Sequence, residues 1–257
     1  MSSSRDPVKP EQIRAAMEIG DLYVEYLPTM RLGDISCVGA EALVRLRRGS
    51  EVLPPADFIP IIENTPLSGS LTYWVIDTVA TELGEWLSEH ADAHIGINVP
   101  PEILGRGGLE YAAVRAGLRG RIDQIVLEIT ERGVPDQLGF HALQQMADKG
   151  IRLALDDTML SGTNLALLTR CNFSIVKIDR LLTSQLIPNL PEPEWLEGLK
   201  SLLHSSSLQI VAEGVETEYQ AETLRQAGVQ MAQGYLYSTP LNAPALMHFY
   251  LEHRPIH

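Results

Sequence analysis

The chain has 257 residues, 45% of them hydrophobic and 21% charged, a balance that suits one large folded domain or two small ones and excludes a coreless, disordered or collagenous polypeptide. Its 20 lysines and arginines stand against 33 aspartates and glutamates, a formal net charge of −13 whose field repels polyanions and argues against nonspecific binding of DNA. Cys37 and Cys171 sit in no Cys-x-x-Cys or Cys/His spacing and read as reduced structural thiols. The N-terminus lacks the apolar stretch of a signal peptide, and no run approaches the roughly 18 apolar residues of a spanning helix, so a cytoplasmic chain without a membrane segment is expected.

Residues 1–20 read as an N-terminal extension or helix, and residues 21–257 as the barrel domain described next. Strands are predicted near Leu22 to Leu27 and Ser36 to Val44. The polar turn Arg31-Leu32-Gly33-Asp34 between them is too short for a parallel crossover, which makes the pair an antiparallel hairpin. A helix from Leu71 to Glu89 leads to a strand at His94 to Val99. Further strands follow at Gln124 to Thr130, Arg152 to Asp156, Ser174 to Ile178, Leu208 to Ala212 and Gln230 to Ala232. Helices are predicted at Gln137 to Lys149, at Trp195 to His204 after the loop Pro188 to Pro193, and at Glu218 to Ala227 before the stop at Gly228. Eight strands alternating with helices, without repeat or composition break, fit an α/β fold: a TIM-like (β/α)8 barrel with one antiparallel strand.

What ends the strands is informative. Glu41 lies in the second, Asn98 ends the third, Glu128 lies near the end of the fourth, Asp156 and Asp157 end the fifth, Lys177 and Asp179 the sixth, and Glu213 the seventh. In such a barrel the C-terminal strand ends converge on one mouth, where five acids repel unless they are protonated or neutralised. Each acid alone is most simply a cap or an ion-pair partner. As a set, oxygen ligands without histidine or cysteine favour Mg²⁺ or Mn²⁺. Two such ions about 3.5–4 Å apart would form the clamp used for phosphoester hydrolysis.

Glu41-Ala42-Leu43-Val44-Arg45 resembles the signature of the EAL family, bacterial phosphodiesterases that open cyclic di-GMP to linear pGpG. The resemblance continues in the family's order through Asn98-Val99-Pro100-Pro101, Leu127-Glu128-Ile129-Thr130-Glu131, Asp156-Asp157, Lys177-Ile178-Asp179, Val211-Ala212-Glu213-Gly214-Val215-Glu216-Thr217 and Gln233-Gly234-Tyr235-Leu236. It implies one metal on Glu41, Asn98, Glu128 and Asp156, and a second on Asp156, Asp157 and Glu213. By the same resemblance Glu41, Lys177 and Glu213 are catalytic, with Lys177 contacting the attacking water or the phosphate. Arg45 would grip a phosphate oxygen, Gln233 would join the outer metal and water network, Glu131 would anchor a loop, and Asp179 and Glu216 would brace the surroundings. The implied cofactors are two Mg²⁺ or Mn²⁺, with Ca²⁺ inhibitory. The implied partners are cyclic di-GMP, a second copy in a homodimer, and a sensory domain or partner protein.

The chain departs from the family after the paired aspartates. There the family's Asp-Asp-Phe-Gly-Thr-Gly-Tyr-Ser-Ser becomes Asp156-Asp157-Thr158-Met159-Leu160-Ser161-Gly162-Thr163-Asn164, and Leu27-Pro28 replaces a usual Gln-Pro. Every implied metal ligand is kept. The reading is therefore a metal-dependent phosphodiesterase slowed by its altered loop. The alternatives are a nonhydrolytic cyclic di-GMP receptor or a protein-interaction module on a degenerate scaffold.

Overall fold

A computed structural model of the chain describes residues 7–130, 135–159, 168 and 170–254, without the side chain of Arg119. Helix α1 (Pro10–Ile19) precedes a hairpin of β1 (Leu22–Arg31) and β2 (Ser36–Arg48). Strand β3 (Glu51–Leu53) folds back on the far end of β2. Helices α2 (Ile59–Ile62) and α3 (Pro66–Glu89) lead to β4 (His94–Val99), and α4 (Gly108–Arg115) leads to β5 (Ile125–Thr130). Next come α5 (Gln137–Asp148), β6 (Arg152–Thr158), β7 (Ile175–Ile178), α6 (Arg180–Thr183) and α7 (Glu194–Ser205). Strand β8 (Gln209–Ala212), α8 (Glu218–Gln226), β9 (Met231–Ala232) and α9 (Ala243–Glu252) complete the described elements.

The strands run in the order β1-β9-β8-β7-β6-β5-β4-β2, and β1 pairs with β2 to close an eight-stranded barrel that carries β3 as an outer appendage. Strand β1 is antiparallel to both neighbours, whereas the other barrel pairs are parallel. The expected barrel with one reversed strand is the fold observed. Each predicted strand is found, and β3 is the addition. Helix α3 starts five residues before the predicted Leu71, because Thr65 caps it by accepting the Leu67 N–H and Pro66 presets the first turn. Helix α9, which the sequence reading did not propose, closes the end opposite the mouth: the backbone N–H of Cys37, at the foot of β2, donates to the His253 carbonyl at 2.6 Å, and Tyr250 donates its hydroxyl to Asp92.

The interior is layered. Val126, Ala154, Ile175, Val211 and Met231 pack together with Val38 inside the barrel. Because side chains alternate along a strand, the residue two positions on shares that face one layer nearer the mouth. Those residues are Glu128, Asp156, Lys177, Glu213 and Gln233. An apolar floor thus carries a polar storey, and the same period that fills the core erects the site.

At the opposite end His94 is buried at the foot of β4. Burial first, then the nearby Arg152 guanidinium, lower its imidazole to about 3, against a hydrogen bond to the Val38 backbone. A histidine with a depressed folded-state pKa contributes stability above its unfolded pKa near 6.5 and loses it as pH falls toward 3. Wild-type protein should therefore lose stability relative to His94→Gln on acidification across that window, by up to about 1.4 kcal/mol per pH unit. Urea midpoints at a series of pH values measure the difference, and parallel pH profiles would contradict it.

Candidate active site

The centre of the polar storey is Lys177, 1% exposed on β7. Its ammonium Nζ lies 2.8 Å from Glu41 Oε2, 2.8 Å from Glu128 Oε2, 3.0 Å from Asp156 Oδ1 and 2.7 Å from Glu213 Oε1. Asn98, beside Glu128 in the β4–β5 register, donates its Nδ2 to Glu41 Oε1 at 2.8 Å. Burial alone would lower the lysine's pKa, but Asp156, Glu128, Glu213 and Glu41 outweigh it and hold the ammonium protonated, well above the ordinary range. The carboxyls also rise, but for them burial prevails. Burial, then Glu41, raises Glu128 well above the carboxylate range against Lys177, and burial pushes Glu213 up to about 8 despite the same lysine.

Asp156 and Asp157 are adjacent and would ordinarily face opposite sides of β6. The β6–β7 register breaks between Leu155 and Thr158, and Asp157 adopts a left-handed φ of 53°. A bulge of this kind re-aims a side chain, and aspartate tolerates that backbone better than most residues. Oxygens of Asp156, Asp157 and Glu213 consequently lie within 4.8 Å of one another, and so do those of Glu41, Glu128 and Asp156. The two triads share Asp156, whose buried Oδ1 faces the Lys177 ammonium at 3.0 Å. An oxygen-only donor set in which two triads share one carboxylate suits hard dications, so the residues present fit a metal pair.

Above the cluster opens a cleft of about 490 Å³ with Glu41, Asn98, Asp156 and Asp157 on its floor and Ile59, Leu71 and Val75 on an apolar wall. The structure thus brings seven of the sequence-predicted residues together: Glu41, Asn98, Glu128, Asp156, Asp157, Lys177 and Glu213. Gln233 is buried below Asp156's level of exposure, with Nε2 donating to Thr29 Oγ1 at 2.8 Å and Oε1 unpartnered among the described residues.

The others stand apart. Arg45 does not line the cleft; its Nε donates to Glu25 Oε2 at 2.8 Å and its Nη1 to the Val44 carbonyl. Asp179 caps α6, accepting the Leu181 N–H. Glu216 is exposed, and its backbone N–H donates to Gln220 at the start of α8. Glu131 lies outside the described residues, as does the segment from Leu160 to Leu167 that carries most of the departing loop.

Two residues that the sequence reading missed belong here. Arg180 is the only cation among the described residues that line the cleft, and its stem packs on the turn after Glu213, where Gly214 has a φ of 63° and a Cβ would meet Arg180 Cβ at 2.4 Å. Its place directly after Lys177-Ile178-Asp179 was the available signal. Gly96, inside β4, has Glu128 where its side chain would be. A glycine within a strand marks such a close approach.

The sequence model of the family described as EAL domain matches residues 10–240. The chain is 34% identical over 239 residues to a protein of Escherichia coli K12 named "Probable cyclic di-GMP phosphodiesterase PdeB", covering 90% of this chain and 45% of that protein. The chain spans less than half the length of the curated relatives it matches. Among solved structures, the PaMucR phosphodiesterase in complex with c-di-GMP superposes with a TM-score of 0.81 at 28% identity, covering 92% of this chain and 98% of that one. The EAL domain of Mycobacterium smegmatis DcpA superposes with a TM-score of 0.74 at 28% identity, covering 91% and 100%.

A methyl group on Gly96 would fall 2.1 Å from Glu128 Oε1, so Gly96→Ala must push that carboxyl off Lys177. The expected cost is about 1–3 kcal/mol in urea unfolding, as for other overpacked sites. An unchanged midpoint would show that Glu128 is not confined there.

Proposed function

Because the chain belongs to the EAL domain family, we propose that it is a metal-dependent phosphodiesterase that hydrolyses cyclic di-GMP to linear pGpG. The observation that carries this reading is the pair of carboxylate triads sharing Asp156 at the foot of a cleft wide enough for a nucleotide. Glu41, Asn98, Glu128 and Asp156 would hold one Mg²⁺ or Mn²⁺, and Asp156, Asp157 and Glu213 the other. When bound, the ions supply Lewis-acid stabilisation of phosphate charge and lower the pKa of water.

The chain's own residues do the rest. Lys177, protonated and desolvated, offers a donor to an anionic oxygen at the cluster. Arg180 offers a guanidinium fork to a phosphate in the cleft, and the wall of Ile59, Leu71 and Val75 presents an apolar face to a base. Arg45 reaches a phosphate only after exchanging Glu25 for it. On this reading Gln233 belongs to the outer network, Glu131 anchors the loop, and residues 21–257 are the catalytic domain. It would act as a cytoplasmic homodimer that takes its signal from a sensory domain or partner protein. The replaced sequence from Thr158 to Asn164 favours one other reading, a nonhydrolytic receptor.

Chromatography of cyclic di-GMP incubated with protein and Mg²⁺ or Mn²⁺ tests the proposal. A pGpG peak is expected, lost on substitution of Ca²⁺ and reduced at least about 100-fold by Glu41→Ala, which deletes a charged ligand. Nucleotide bound but uncut would establish the receptor reading, and neither binding nor turnover would sink both. Arg180→Ala should raise KM about tenfold, the loss of a charge-assisted hydrogen bond, while kcat stays within a few-fold. An unaltered KM would remove Arg180 from the substrate contacts.

A further inference from the structure

On the outer side of the barrel lies a second cavity, of about 560 Å³, unconnected with the acidic mouth. Its floor is the outward face of β4 and β5, Ile97, Ile125 and Leu127, all buried. Its cause is the connection between those strands. Where a parallel barrel normally lays a full helix, this chain has only the 8-residue α4, and then a 3-10 stretch, Leu118–Gln124, broken at Arg121 by non-helical backbone angles. The helical layer is thin at that place, and Ile76 of α3 and Met146 of α5 stand on the rim of the cavity.

The lining is apolar except for Glu110 of α4 and Lys149 at the end of α5. Lys149 Nζ and Glu110 Oε1 are 2.9 Å apart, and their side chains are 52% and 68% exposed. So exposed a pair contributes little to stability and is readily exchanged. An apolar cavity within the roughly 300–1,000 Å³ range of ligand sites, with one acid and one base at its rim among the described residues, has the composition of a pocket for an amphiphile.

We propose that this cavity binds an amphipathic carboxylate, with an acyl chain against β4 and β5 and its head group on Lys149 in place of Glu110. The proposal is independent of the phosphodiesterase reading. Its reach to the mouth is short, since Ile97 and Leu127 are followed in the chain by Asn98 and Glu128, which face the opposite side of the same strands.

Titration calorimetry and thermal melting of the full chain with dodecanoate, below its micelle-forming concentration, provide the test. Dodecanoate should bind in one-to-one stoichiometry and raise the melting temperature, whereas dodecylamine, of the same chain and opposite charge, should bind at least tenfold more weakly. Lys149→Met, a surface change that leaves the fold intact, should weaken dodecanoate at least tenfold. Glu110→Gln should tighten it several-fold by releasing the ammonium, and Ala113→Phe should abolish binding by filling the space. Absence of dodecanoate binding, a lowered melting temperature, or equal affinity in wild type and Lys149→Met would overturn the proposal.

Discussion

Four carboxylates carried by four different strands close on the buried Lys177 ammonium at 2.7 to 3.0 Å. Charges buried this way are tolerated only as a set, because removing one partner leaves the others unpaired in a medium that solvates them poorly. The surrounding geometry serves that constraint. Gly96 gives Glu128 its place, Asn98 occupies the second oxygen of Glu41, and the bulge in β6 turns Asp157 toward Glu213. One lysine serving four acids also changes the argument from charge. The acids do not need dications merely to coexist; what asks for metal is the sharing of Asp156 between two triads.

Much of the fold was legible because burial and chemistry follow one period. Ile175-Val176-Lys177 reads as a strand from its β-branched residues, and the same alternation that seats Ile175 in the barrel floor puts Lys177 above it. The short turn from Arg31 to Asp34 leaves no room for a crossover and so requires the reversed strand. The acidic strand ends could be grouped for the same reason, since a barrel delivers them all to one mouth.

What escaped depends on contacts between distant segments. The left-handed backbone at Asp157 arises where β6 and β7 lose register, which composition does not encode. The turning of Arg45 toward Glu25 follows from diagonal neighbours in the hairpin, so a residue of the signature stands away from the cleft. Helix α9 is rich in apolar residues on more than one side, so its sequence shows no clear stripe. Its place is set by the contacts of Tyr250 and by the Cys37 to His253 hydrogen bond.

The reversal of β1 also decides at which pole the polypeptide enters the barrel. An ordinary first strand would start at the floor, whereas β1 starts level with the acidic rim. Helix α1 is therefore seated there, its Ile13 and Ala16 in one packed group with Phe58, Ile62 and Leu71, of which Ile62 and Leu71 line the cleft. Torque applied to the backbone ahead of that helix is delivered to the wall through a few tightly packed side chains, without first deforming a strand. Topology has thus placed the handle of the molecule beside its aperture.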